Sequence, residues 1–305
     1  MTGPSPLSRA GPIATGASPE GIAITPEGGF LYVADTEDNC LSAFRIAADG
    51  KLSPLAPATV AAGTWPEWLA ISPDGKHLYV TNFGSADGTA GLSAFSIGTD
   101  GDLSPLSTPT YTTGGSPSGI VVSPDGKYLY VSSNTSSAFS IDAATGLLTP
   151  IAGTFATAYG QALAIRPSGT DLYVGSMFML CDYGIGAGGS PAIRSTQMGG
   201  INRNGTAVTP DGSWLYVSDA SMGNVTVFAI ATDGSVGSAG VGPYSLGAGF
   251  NGAGMQAISP DGKTLYTVTN DGVYACGIGT GGALSQVGTG PVNTGTGPFA
   301  IAVRP

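Results

Sequence analysis

Residues 69–82 read "LAISPDGKHLYVTN": an apolar run ending at Pro73, an Asp-Gly turn signal, and a second run closing on Leu-Tyr-Val. The pattern recurs as "GIAITPEGGFLYVAD" (21–35), "GIVVSPDGKYLYVSS" (119–133), "ALAIRPSGTDLYVGS" (162–176), "TAVTPDGSWLYVSD" (206–219) and "QAISPDGKTLYTVTN" (256–270). A shorter "FAIAVRP" occupies 299–305. The anchor prolines are Pro26, Pro73, Pro124, Pro167, Pro210, Pro260 and Pro305, so the unit repeats every 43 to 51 residues. Within the turn, proline presets φ and glycine accepts a positive φ. A third run such as "LSAFRI" or "VTVFAI" alternates with period two. A turn such as "ADGK" or "TDGD" follows, and then a loosely patterned fourth run, "LSPLAPATVAAG". No stretch keeps a helical period. Four short strands in each repeat of roughly 45 residues predict an all-β protein, a β-propeller of four-stranded antiparallel blades.

The strand count is uneven. There are seven first strands, six second, six third, and seven fourth if residues 6–15 form an outer strand. A single propeller domain over 1–305 is expected, on a seven-bladed plan whose closing blade is incomplete. That blade holds an inner strand at 299–305, an outer strand at 6–15 and no middle strands. The alternative is six full blades with the terminal segments placed otherwise.

Composition agrees and narrows the partners. Charged residues are only 10% of the chain while glycines number 50, which suits tight turns between short strands. The net charge of −10, with ten scattered basic residues, argues against nucleic acid. No run is long and apolar enough to span a bilayer as a helix. The start, "MTGPSPLSRAGPIATG", lacks the features of a signal peptide, so the chain as given reads as cytoplasmic, or as exported if a leader has been removed. Cys40, Cys181 and Cys276 occupy non-equivalent repeat positions and read as free, mostly buried thiols.

Tyr79-Val80-Thr81-Asn82 and the repeated SPDGK-x-LYV resemble the YVTN family of propellers, which includes lactonase-like proteins related to 6-phosphogluconolactonase. The resemblance covers nearly the whole chain and is specific for fold more than for activity. It implies closure of the ring by combining terminal strands. It also implies an active site in the ring of residues six before each anchor proline, where His and Arg tend to appear in the relatives.

Here that ring reads Glu20, Glu67, Ser118, Gln161, Asn204, Gly254 and Phe299, with Arg203 the nearest cation. The only histidine, His77, follows a Pro-Asp-Gly turn and reads as a surface strand residue on the opposite face, which rules out a His-dependent triad. A phosphorylated lactone is a poor substrate for so few cations. Ring-side loops vary from blade to blade whereas the Pro-Asp-Gly turns hardly change, so function is expected on the variable face. That face is rich in apolar bulk: Trp65, Trp68, Phe83, Met177, Phe178, Met179, Met222, Phe250, Met255 and Phe299. These side chains either plug the channel or line an apolar pocket with a few polar groups.

Glu20 and Glu67 hold equivalent places on neighbouring blades, and a pair of carboxylates in an apolar setting separates into one acid and one base. With Arg203 to hold an enolate or carboxylate, they are the expected catalytic groups. Trp65, Trp68, Phe83, Gln161, Met177, Phe178, Asn204, Phe250, Met255 and Phe299 are the expected substrate contacts. The expected function is that of a lactonase-like enzyme hydrolysing, isomerising or cyclising a small, largely apolar metabolite, without an obligate cofactor. A lesser reading has Glu20, Glu67 and Asn204 ligating Ca²⁺, as in metal-dependent lactonase propellers. The acidic run "DTEDN" (35–39) lacks EF-hand spacing. A second functional class is a non-catalytic scaffold that binds a protein or ligand through the same aromatics, favoured if Trp68 and Phe299 fill the channel. "GIGAGG" (184–189) falls in a turn with no helix after it and is no dinucleotide site. Asn134, Asn204 and Asn224 each begin an N-x-Ser/Thr triplet of the kind that arises by chance.

Overall fold

The computed structural model describes residues 11–84, 90–153, 155, 160–177, 179–198, 205–220, 223–237, 241–245, 254–288, 290–294 and 298–305. They form six antiparallel sheets of four strands. Blade 1 comprises Pro19–Ile24, Phe30–Asp35, Cys40–Ile46 and Leu52–Ala61; blade 2 comprises Pro66–Ile71, His77–Asn82, Gly91–Ile97 and Leu103–Thr112. Blade 3 comprises Gly119–Val122, Tyr128–Ser132, Ser137–Ile141 and Leu148–Pro150; blade 4 comprises Gly160–Ile165, Asp171–Ser176, Met179–Ile185 and Pro191–Met198. Blade 5 comprises Gly205–Val208, Trp214–Asp219, Asn224–Ala229 and Val241–Ser245; blade 6 comprises Gln256–Ile258, Thr264–Thr269, Gly272–Ile278 and Leu284–Gln286. No α-helix occurs among the described residues, hence none long and apolar enough to cross a membrane.

The repeated turn is stabilised locally. In blade 2, Ser72 Oγ donates to Asp74 Oδ1 at 2.6 Å, and the same carboxylate accepts from the Lys76 N–H at 3.1 Å. Ser72 Oγ also accepts the His77 N–H at 3.0 Å, which aims the chain into the second strand. Ser123–Asp125, Thr209–Asp211 and Ser259–Asp261 repeat the arrangement. The motif therefore recurs because one Ser/Thr-Pro-Asp-Gly unit satisfies its own turn.

Blade packs on blade through the tyrosine of the second strand. Tyr32, Tyr79, Tyr130, Tyr173 and Tyr216 are fully buried. Each hydroxyl donates to a glycine carbonyl in the turn between the third and fourth strands of the next blade: Gly101, Gly146, Gly189, Gly234 and Gly282, at 2.7–3.0 Å. Those glycines have positive φ, and a Cβ on each would strike Phe30, His77, Tyr128, Asp171 or Trp214 of the preceding blade. Gly189 belongs to "GIGAGG", which thus sits in a structural turn.

Two expectations change here. His77 is not a surface residue: it is 6% exposed, because its ring fills the place over Gly146 that Phe30 fills over Gly101. On blade number it is the stated alternative that holds: the complete sheets among the described residues number six. The described parts of the segments expected to form a seventh sheet, 11–15 and 299–305, make no strand, and among the described residues no middle strands pair with them.

The terminal segment nevertheless holds a place in the ring. Turn glycines Gly75, Gly126, Gly169 and Gly262 rest against anchor prolines of the preceding blade (Pro26, Pro73, Pro124 and Pro210), and Gly212 rests against Arg166 beside Pro167. Gly28 of blade 1 rests against Arg304 rather than against Pro260 of blade 6. Arg304 Nη1 donates to Ala47 O in blade 1, as Arg166 Nη1 donates to Thr232 O in blade 5. At the other end, Gly254 of blade 6 meets the Phe299 carbonyl as Gly205 of blade 5 meets that of Gly254. Residues 298–305 thus stand as an unpaired inner segment between blades 6 and 1.

Candidate functional site

The ring residues owe their direction to irregular pairing. In blade 1, Pro19 faces Asp35 and Ile22 faces Val33, so Glu20 and Gly21 together oppose only Ala34. In blade 2, Pro66 faces Asn82 and Leu69 faces Val80, leaving Glu67 and Trp68 opposite Thr81. Blade 4 has the same fault at Gln161. Such β-bulges re-aim a side chain and bend the strand. Gly21 meets the Glu67 backbone of the next blade so closely that no Cβ fits, which brings the two bulges together.

The two carboxylates feel each other there. Burial pushes the Glu67 carboxyl up to about 8, and the charge of Glu20 adds to the rise. Glu20 is raised by burial alone. Glu67 is therefore the group that keeps its proton near neutrality and Glu20 the first to ionise.

Aromatic residues flank Glu67 along the chain. Trp68 follows Glu67 directly, its N–H bonded to Thr81 Oγ1 at 3.0 Å, and its ring stacks on Phe299 with centroids 5.7 Å apart. Trp65 stacks on Phe83 at 6.4 Å, and its N–H is held by Asn39 Oδ1 at 2.8 Å. Trp65 has φ +52°, the left-handed conformation that Ser18 and Ser116 adopt at the same repeat position. A bulky residue there is an outlier of the kind that gathers at functional sites. Trp65 is 45% exposed and Phe299 49%, so neither ring is core. The Trp68–Phe299 contact is the feature expected of a filled channel, while Phe299 itself is half exposed.

Met255 is partly buried beside Gly254 and accepts the Val268 N–H through its carbonyl. Met177 is partly buried in the loop between the second and third strands of blade 4, three blades from Glu20. Arg203, Asn204, Phe178, Phe250 and Met222 lie outside the described residues, as does the side chain of Gln161.

Sequence reasoning missed two features of this region. Asp35, one ladder step from the Glu20 bulge, is fully buried. It accepts from Ser42 Oγ at 2.6 Å and from the Cys40 thiol, and burial raises its carboxyl. Its place in an acidic-looking run hid that role; the Ser two residues into the facing strand was the available signal. The second feature is charge segregation. Lys51, Lys76, Lys127 and Lys263 pair with turn aspartates, and Arg45, Arg166, Arg194 and Arg304 bond turn residues or their neighbours. Every described cation is thus on the face opposite the carboxylate pair. Among the described residues no three His, Cys, Asp or Glu side chains converge as metal ligands; the calcium set would need Asn204. Cys40, Cys181 and Cys276 are free thiols, and burial pushes Cys40 and Cys276 up to about 11.

With this geometry in hand, comparison with known proteins is informative. The model of the family described as Lactonase, 7-bladed beta-propeller matches residues 49–133, and an NHL repeat model matches 17–44. The chain resembles the lactonase-like β-propellers. No curated protein matches it. Among solved structures, a candidate 6-phosphogluconolactonase of Bacteroides uniformis superposes with a TM-score of 0.73 at 20% identity, covering 90% of this chain and 85% of that one. Another from Bacteroides fragilis gives 0.73 at 21%, covering 90% and 84%. The periplasmic gluconolactonase PpgL of Pseudomonas aeruginosa gives 0.74 at 15%, covering 96% and 91%. At these identities the likeness establishes the fold of this chain and leaves its chemistry to its own residues.

Proposed function

We propose that this lactonase-like propeller hydrolyses an uncharged lactone with an apolar face, bound at the rim between blades 1 and 2. The carrying observation is the pair of equivalent bulges that sets Glu20 beside Glu67, with Glu67 pushed up to about 8. Ionised Glu20 would take a proton from water as its oxygen attacks the lactone carbonyl carbon. Glu67 would give its proton to the ring oxygen as the carbon–oxygen bond breaks, yielding the hydroxy acid. The two groups then exchange protons with solvent to restore the starting state. Trp68 and Phe299 would cover one side of the ring, Trp65 and Phe83 the other. The lack of described cations on this face favours a neutral substrate over a phosphorylated one. Lactonase names among the structural neighbours agree with the reaction class.

The test is pH-stat hydrolysis of a panel holding aliphatic γ- and δ-lactones, gluconolactone and 6-phosphogluconolactone. Turnover of a neutral lactone is expected, with Glu67→Gln and Glu20→Gln each lowering kcat at least ~100-fold. Turnover that survives both substitutions refutes the mechanism. Tryptophan quenching by a lactone without turnover would favour the second reading, a binding scaffold, to which the Trp68–Phe299 stack lends support.

A further inference from the structure

Glu20 and Glu67 each follow the proline that opens an inner strand, Pro19 in blade 1 and Pro66 in blade 2. One loop holds both strand heads: the run "DTEDN" (35–39), between the second and third strands of blade 1. Within its own blade, the Thr36 N–H donates to Ser18 O at 3.1 Å and the Glu37 N–H to Ala17 O at 3.4 Å. Blade 2 repeats these two bonds, from the Phe83 N–H to Trp65 O and from the Gly84 N–H to Thr64 O, so they belong to the repeat. The loop of blade 1 adds two bonds forward into blade 2. Thr36 Oγ1 donates to Pro66 O at 2.7 Å, and Asn39 Oδ1 accepts the Trp65 N–H at 2.8 Å. Trp65 and Pro66 are the two residues before Glu67. Phe83, Asn134, Met177, Ala220 and Asn270 stand ten residues after their anchor prolines as Thr36 does, and none of them carries a hydroxyl. The loop therefore bonds both left-handed residues that precede the bulges, Ser18 and Trp65. Past the Pro66 bond, the Glu67 carbonyl lies against Gly21, so blade 1 grips the backbone on both sides of the Glu67 side chain. The carboxylates Asp35 and Asp38 serve the same loop, accepting from Ser42 Oγ and the Ala17 N–H.

We propose that Thr36 and Asn39 are positioning residues, which pin the Trp65–Pro66 segment to blade 1 and so hold the Glu67 side chain beside Glu20. The inference rests on the reading of Glu20 and Glu67 as the working pair. Thr36 is buried, and without its hydroxyl the Pro66 carbonyl must find another donor, for which water has to enter. Water at that point frees the head of blade 2 to draw away from Gly21. Solvent and distance together then relieve the two causes that raise the Glu67 carboxyl, burial first and the charge of Glu20 second.

The test is carbon-13 NMR of the full chain labelled at the glutamate side-chain carboxyl. The chain has only four glutamates, Glu20, Glu27, Glu37 and Glu67, and the Glu67 signal is the one lost in Glu67→Gln. In Thr36→Val, which keeps the shape and removes the hydroxyl, the Glu67 midpoint should fall from about 8 by at least 1 pH unit or so. Thr36→Ser keeps the hydroxyl and should leave the midpoint in place. Asn39→Gly removes the acceptor while tolerating the positive φ of that position; it should lower the midpoint too, and it decides the matter if Thr36→Val does not fold. Tyr130→Phe removes an inter-blade hydrogen bond elsewhere and should not move it, which separates release of this clamp from general loosening of the ring. An unmoved Glu67 midpoint in folded Thr36→Val or in Asn39→Gly overturns the proposal. So does an equal fall in Tyr130→Phe, or an ordinary carboxylate midpoint for Glu67 in the unsubstituted chain. Lactone turnover is read separately: a chain that hydrolyses nothing yet shows these midpoints refutes the hydrolase reading and upholds the positioning role.

Discussion

Glu67 joins two demands that seldom meet in one residue: a bulge aims it into the ring, and its neighbours deprive it of water. Its carboxyl ionises near 8 in the folded chain and near the ordinary 4.5 once unfolded. Between those values the unfolded state binds fewer protons, so stability falls as pH rises from about 4.5 to about 8. Replacing the group removes this slope. Glu67→Gln should leave the urea midpoint unchanged at pH 4 and raise stability at pH 9 by on the order of 2–4 kcal/mol, after allowance for the coupling to Glu20. Equal urea curves at both pH values would mean that the carboxyl is well solvated. His77 shows the opposite case: burial lowers its pKa, and it serves as a filler above Gly146. A lone histidine after a turn gives no sign in sequence of whether the next blade covers it. The glutamates were legible because they share a repeat position, while Asp35 was not, since its burial depends on Ser42 across the ladder.

At the scale of the strand, the Leu-Tyr-Val run is where sequence and packing coincide. The leucine and tyrosine point to opposite flanks of the sheet, so each second strand seals two junctions at once. The tyrosine hydroxyls differ only in what lies opposite. Tyr130→Phe deprives the Gly189 carbonyl of its buried donor, 3.0 Å away, and should cost about 1–2 kcal/mol in chemical denaturation. Tyr266→Phe should cost less than about 0.5 kcal/mol, since its hydroxyl donates to no glycine carbonyl among the described residues. Equal costs at the two sites would show that the sixth junction is closed like the others. Bulges at the heads of the inner strands were not foreseeable, because an extra residue in a ladder shows only when its partner strand is in place.

Over the whole molecule, the ring behaves as a set of blades whose stability is shared through neighbour contacts. Blades 2 to 5 have complete sheets on both flanks; among the described residues, blades 1 and 6 each meet the terminal segments on one flank. Between blades 4 and 5 the contact is reinforced by Arg194, which the buried blade 4 carboxylates Asp171 and Asp182 hold at 2.6 and 2.9 Å and which donates to the Asp233 and Gly234 carbonyls of blade 5. Native-state hydrogen exchange should therefore show faster exchange in Thr264–Thr269 and Gly272–Ile278 than in His77–Asn82 and Gly91–Ile97. Uniform protection around the ring would contradict this. The sequence by itself determined the repeat, the four-stranded blade, the turn chemistry and the pairing of Glu20 with Glu67 as equivalents, because these follow from local spacing and period. Only the tertiary structure decided the number of complete sheets, the burial of His77, the retention of the described cations on the far face and the partial burial of Tyr266. The reason is physical: each of these depends on which blade lies next to which, and that is set by closure of the ring rather than by any one repeat.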